Sequence, residues 1–184
     1  MYTTKAFIFR EINFGESDKL FSFFTEDFGR VDAVAQGVRC LKSKLRYSLS
    51  GNSFLRVSFV GTSNGYFRLV DAEEIFLLEK TKKSLKKTKS SFVLFSLIDR
   101  MLQGQEEDRD LWKKFEKIFM FLENSDSVDG NLKNFEILAA MHVLNHLGYL
   151  GERDETKSLS LDKIGKNGKY FLSLVQKTIE QSQL

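Results

Sequence analysis

His142 and His146 stand four residues apart, the spacing by which one face of a helix can grip a metal ion. The glutamate of an H-E-x-x-H motif is missing between them and no third ligand cluster follows, so the pair reads as helix packing. The run Gly37-Val38-Arg39-Cys40-Leu41-Lys42-Ser43 has the outline of a phosphate loop, yet it lacks the second glycine before its lysine and leads into no long helix. Cys40, the single cysteine, is flanked by Arg39 and Lys42, but no His or Asp is spaced to activate it, so it reads as inert. Glu106-Glu107-Asp108 reads as a solvated turn between helices, not as a paired-carboxylate metal site. None of these sets makes a catalytic constellation. The expectation is a protein that is not an enzyme and takes no cofactor.

Binding chemistry is better supplied. The chain carries 28 basic and 25 acidic side chains among 184 residues, a formal charge of +3. Residues 36–90 hold 12 of the basic and four of the acidic ones, a local +8 that leaves −5 elsewhere. From Ala33 to Val70 there is no Asp or Glu at all. Tyr47, Phe54, Phe59, Tyr66 and Phe67 alternate there with Arg39, Lys42, Lys44, Arg46, Arg56 and Arg68. Cations that follow phosphates beside aromatic faces that stack on bases suit single-stranded nucleic acid. On a strand Phe54 and Arg56 share one face and are expected to present together. A second cluster, Lys80, Lys82, Lys83, Lys86, Lys87 and Lys89, opens the second half. On a continuous helix Lys82, Lys86 and Lys89 share one stripe, with Lys83 and Lys87 on the next.

The elements that must position these groups fall into two kinds. Two-residue alternation marks strands over Tyr2–Ile12, Lys19–Thr25, Arg30–Ala35, Ser53–Val60 and Tyr66–Val70, with turns at Asn13–Glu16, Glu26–Gly29 and Gly61–Gly65. Five short, closely spaced strands favour a small OB-like barrel over residues 1–76. From about Leu77 the period becomes 3.6. Leu94, Leu97, Ile98, Met101 and Leu102 make one helical face, and Leu111, Phe115, Ile118, Phe119 and Leu122 another. Asp126–Asn131 is a polar connection, Phe135–Leu147 a central helix ended by Gly148, and Tyr170–Gln181 a last helix. The expected fold class is α+β, a barrel packed on a helical domain at 77–184 through a core rich in the 18 phenylalanines. No apolar run approaches a membrane span and the N-terminus lacks a signal-peptide core, so a cytoplasmic protein is expected, nucleoid-associated where the basic segment binds DNA.

Four blocks in order, Gly15-Glu16-Ser17-Asp18-Lys19-Leu20, Phe24-Thr25-Glu26-Asp27-Phe28-Gly29-Arg30, Ala35-Gln36-Gly37-Val38-Arg39 and Lys42-Ser43-Lys44-Leu45-Arg46, cover most of residues 5–75. Together they resemble the N-terminal domain of the RecO family of recombination mediators and DNA repair proteins. Phe135-Glu136 and Leu147-Gly148-Tyr149 resemble, more weakly, the central helix of that family's helical domain. The resemblance implies an OB-fold followed by helices that binds single- and double-stranded DNA without catalysis. It further implies strand annealing and RecA loading, with RecR and single-stranded-DNA-binding protein as partners. Arg39, Lys42, Lys44 and Arg46 match the family's basic motif and carry over as DNA contacts; Arg56, Arg68, Lys82, Lys83 and Lys86 rest on the strand and helix reading. Many relatives follow Leu-Gly-Tyr with a proline and a four-cysteine zinc module. Here Leu150-Gly151-Glu152-Arg153 follows without a cysteine, so a short, zinc-free form is expected. Gln36 and Cys40 stand where basic residues are common. A rival expectation is a protein-interaction adaptor with little DNA contact, whose lysines and apolar helix faces receive an acidic, apolar-ended tail.

Overall fold

The computed structural model describes residues 1–49, 53–62, 66–76, 78–102, 106–125, 131–151 and 159–182. Residues 63–65 of the expected Gly61–Gly65 turn, residues 126–130 of the polar connection, and Glu152 and Arg153 lie outside the described residues. The alternating half forms β1 (Tyr2–Phe14), β2 (Asp18–Thr25), β3 (Gly29–Ala35), β4 (Phe54–Gly61) and β5 (Phe67–Phe76). They close into a barrel in the order β1-β2-β3-β5-β4. All neighbours are antiparallel except β3 and β5. The long β1 closes the ring because it pairs twice, with β4 over Tyr2–Phe7 and with β2 over Ala6–Phe14. β5 runs six residues past its expected end at Val70. The stretch Asp71-Ala72-Glu73-Glu74 is poor in strand formers, but Ala72 is buried and Glu73 lies opposite Arg56 across the ladder, so cross-strand contacts override propensity.

The pleat sorts the side chains into two cores. Ala6, Ile8, Phe21, Phe23, Val31, Ala33, Leu55, Val57 and Phe59 fill the barrel. Their outward neighbours Phe7, Phe24 and Phe54 are equally buried, beneath helices. The helices are α1 (Leu45–Ser48), α2 (Glu79–Lys83), α3 (Leu85–Met101), α4 (Arg109–Asn124), α5 (Leu132–His146) and α6 (Leu161–Gln181). Phe7 stacks on Phe54 at 4.7 Å and lies within 6.2 Å of Phe95, Trp112, Phe115 and Phe119. Barrel and helices therefore share one aromatic core, each buried ring worth about 1.5–3 kcal/mol. Gly29 adds a backbone contact. It sits at φ +60° and a Cβ there would collide with the carbonyl of Glu106, which leads into α4.

The helical half follows the 3.6-residue period with two departures. α5 is the central helix, burying Phe135, Ile137, Met141, Val143 and Leu144 against α3, α4 and α6, and it ends at Gly148 with φ +80°. α6 begins nine residues before the expected Tyr170. Gly165, Asn167 and Gly168 hid it, and the backbone at Asn167 does leave helical geometry, yet Ile164 anchors this first part in the core. The lysine segment is not one helix. Ser84 is extended and ends α2 while its hydroxyl accepts from the Lys87 amide to cap α3, so the expected lysine stripes are broken at that point.

Candidate nucleic-acid interface

After β3, residues 36–44 make a run of turns rather than a long helix. Gly37, at φ +63°, starts it: its amide donates to Asp18 at 2.8 Å and Ser17 donates to the same carboxylate oxygen at 3.0 Å. The Arg39 amide donates to the Ser17 carbonyl at 2.9 Å and its guanidinium to the Gly15 carbonyl at 3.3 Å. This pins the start of the basic loop to the β1–β2 turn. Cys40 closes on Gly37 and Ser43 on Cys40, each at 3.0 Å, before the four-residue α1, while Val38 and Leu49 are buried and hold the loop to the barrel. Lys42, Lys44 and Arg46 are left exposed between these anchors, as are Cys40 and Tyr47.

Two clefts border this loop. Lys19, Arg39 and Arg46 rim one of about 250 Å³ with Phe21, Val38 and Leu49 at its floor. Lys19 pairs with Glu11 at 3.2 Å. The other, about 240 Å³, is lined among others by Phe14, Asp18, Gln36, Tyr66 and Arg68. Lys19 and Phe14 were not among the sequence-derived candidates. Lys19 joins through the β2–β3 pairing, where it lies opposite Ala35, and Phe14 through barrel closure, since Phe14 and Arg68 are 54 positions apart in the chain.

The remaining candidates separate by their partners. Among the described residues no carboxylate pairs with Arg39, Lys42, Lys44, Arg46, Arg68 or Lys86. Arg56 pairs with Glu73 at 2.7 Å, Lys82 with Glu74 at 2.6 Å and Lys83 with Glu79 at 2.8 Å, the last pair raising the Lys83 pKa. Such solvent-screened pairs lower the local charge without locking it. Phe54 and Arg56 do not present together. Both face outward on β4, but Phe54 lies under the helices while Arg56 lies beyond their edge.

Lys87 is structural. Buried in α3, it donates to the Ser125 carbonyl at 3.1 Å, beside the carboxylate of Glu123. Glu123 accepts the Lys80 and Thr81 amides at 2.8 Å each and so caps α2 from α4. Burial pushes the Glu123 pKa up, but these two donors and Lys87 outweigh it and hold the group below its ordinary value. His146 is engaged as well: Nε2 meets the Asp108 carboxylate at 2.7 Å and Nδ1 the Lys114 ammonium at 2.6 Å. Asp108 also caps α4 through the Leu111 amide at 2.8 Å. Among the described residues no group of three His, Cys, Asp or Glu side chains is placed to hold a metal, and no helix is long and apolar enough to cross a membrane.

Residues 1–77 match the family described as "Recombination protein O N terminal". Curated relatives bearing the name DNA repair protein RecO align over most of the chain. That of Clostridium perfringens is 29% identical over 78% of this chain and 56% of its own length. That of Clostridium novyi is 30% identical over 82% of this chain and 56% of its own, and that of a Thermoanaerobacter species 26% identical over 85% and 65%. The chain spans little more than half the length of the first two.

Proposed function

We propose that this chain, whose residues 1–77 match the N-terminal domain of the RecO family, is a non-catalytic DNA-binding protein of recombinational repair. In this reading it binds single- and double-stranded DNA, promotes annealing and assists RecA loading, in the bacterial cytoplasm at the nucleoid. The barrel, residues 1–76, supplies the nucleic-acid face and residues 77–184 the helical domain. The observation that carries the reading is that Arg39 and Arg46 rim one cleft beside the basic loop and Arg68 lines a second, with Lys42 and Lys44 exposed on the loop itself. These side chains have no carboxylate partner among the described residues, so their charge is available to phosphates. Arg56, Lys82, Lys83 and Lys86 extend the field at its periphery.

The mechanism is electrostatic. Neutralising phosphates on two strands removes the repulsion that opposes their pairing, and no bond is made or broken. If about four to six phosphates of a single strand are neutralised, log K falls against log salt with a slope of about −3 to −4. Titration of one oligonucleotide at several salt concentrations, beside an annealing assay, tests this; a flat salt response or absence of annealing refutes it.

A second reading is favoured by an apolar groove of about 390 Å³ lined by Ile118, Phe121, Phe135 and Leu138, with Lys117 and His142 among its lining. Such a groove suits the acidic, apolar-ended tail of a partner, for which single-stranded-DNA-binding protein is the proposed source; RecR is the other proposed partner. Burial, and then the charge of Lys114, hold the His142 pKa below its usual value, and Lys117 is the lysine in the groove lining. Anisotropy with tail peptide and with bare oligonucleotide separates the two readings.

A further inference from the structure

Phe14 and Tyr66 are large aromatic residues left 44% and 45% exposed at the same end of the barrel as the basic loop. Phe14 is the last residue of β1 and Tyr66 immediately precedes β5, so closure of the barrel brings them together. Their ring centroids are 6.4 Å apart and inclined at 57°, too open to stack on each other. They border the cleft of about 240 Å³ that also contains Asp18, Gln36 and Arg68. Asp18 also lines this cleft, one of its carboxylate oxygens already accepting from the Gly37 amide and the Ser17 hydroxyl. Arg68 supplies a cation in the cleft lining, and Arg39 reaches the Gly15 carbonyl, one residue beyond Phe14. Arg68 in the cleft lining and Arg39 at the Gly15 carbonyl thus bring two cations to the neighbourhood of the aromatic pair, the combination of phosphate-holding charge and base-stacking ring that suits a single strand.

We propose that Phe14 and Tyr66 form a stacking site for an unpaired base of single-stranded DNA, with Arg68 and Arg39 holding the adjacent phosphates. This deepens the DNA-binding reading and rests on it. The test is fluorescence anisotropy of the full chain with a labelled oligo-dT and with an abasic oligonucleotide of equal length, which keeps the phosphates and removes the bases. Wild type is expected to prefer oligo-dT about tenfold, the worth of one stacked base. The F14A/Y66A double variant should lose that preference while its salt slope stays at the wild-type value, and F14W should keep the preference. Equal binding of the two oligonucleotides by wild type, or an undiminished preference in F14A/Y66A, overturns the stacking site and leaves electrostatic binding standing. Failure of wild type to bind either oligonucleotide overturns the DNA-binding reading and this site with it.

Discussion

The two ends of the barrel treat the same kinds of residue in opposite ways. At the helix-facing end Phe7, Phe24 and Phe54 are buried against α3 and α4, and the nearby charges are matched: Arg30 with Asp99 at 3.0 Å, Arg109 with Asp27 at 3.2 Å. At the loop-facing end Phe14, Tyr47 and Tyr66 remain exposed, and Arg39, Arg46 and Arg68 have no carboxylate partner among the described residues. Aromatic and basic side chains thus serve as packing at one end and as a binding surface at the other. Burial and pairing make the distinction, since composition is alike.

The contrast predicts that damage at one end leaves the other intact. The largest effect is expected for Phe7→Ala, which empties the centre of the shared aromatic core and should cost about 3–5 kcal/mol in denaturant unfolding. The DNA affinity of the folded fraction should stay unchanged. Next comes Glu123→Gln, which leaves one α2 amide facing an NH₂ group and Lys87 without its counter-charge, a loss of about 1–3 kcal/mol. Because the folded-state pKa of Glu123 is lowered, its contribution is present above the ordinary carboxylate value and lost as pH falls through the folded value. The stability gap between wild type and variant should therefore close in acid, as read by unfolding at a series of pH values. Charge reversal of Lys42, Lys44 and Arg46 together should weaken oligonucleotide binding at least tenfold for all sequences alike and flatten the salt slope by about 2, with the melting temperature nearly unchanged. The smallest effect belongs to Arg56→Ala: within about 0.5 kcal/mol in stability and under twofold in affinity, because it breaks only an exposed pair with Glu73.

How much of this the sequence reveals depends on the range of the interaction. Strand alternation and helical periodicity are local, and they place the five strands and the faces of α3, α4 and α5. The acid-free stretch from Ala33 to Val70 is also local, and it marks the basic loop. The pairing of Phe54 with Arg56 fails as a reading because a strand's outward face need not be uniform; helices cover β4 at Phe54 and stop short of Arg56. The lysine stripes fail for a local reason that periodicity does not register, the extended Ser84 between α2 and α3. Lys87 reads as one more solvated lysine until Ser125 and Glu123 of the α4 region close over it. Tyr66 is marked by the acid-free stretch but Phe14 is not, and their meeting depends on the barrel's closure.

The placement of Trp112 has a practical consequence. It is the chain's single tryptophan, wholly buried and in ring contact with Phe7, Phe24 and Phe54 across the joint between barrel and helices. Its emission is therefore a built-in, label-free gauge of that joint: separation of the halves admits water to the indole and shifts the spectrum to the red, while a strand settling on the distant loops leaves it dark to the event. The joint can thus be followed by this emission while occupancy is read from a label on the oligonucleotide, in one cuvette and with no change to the protein.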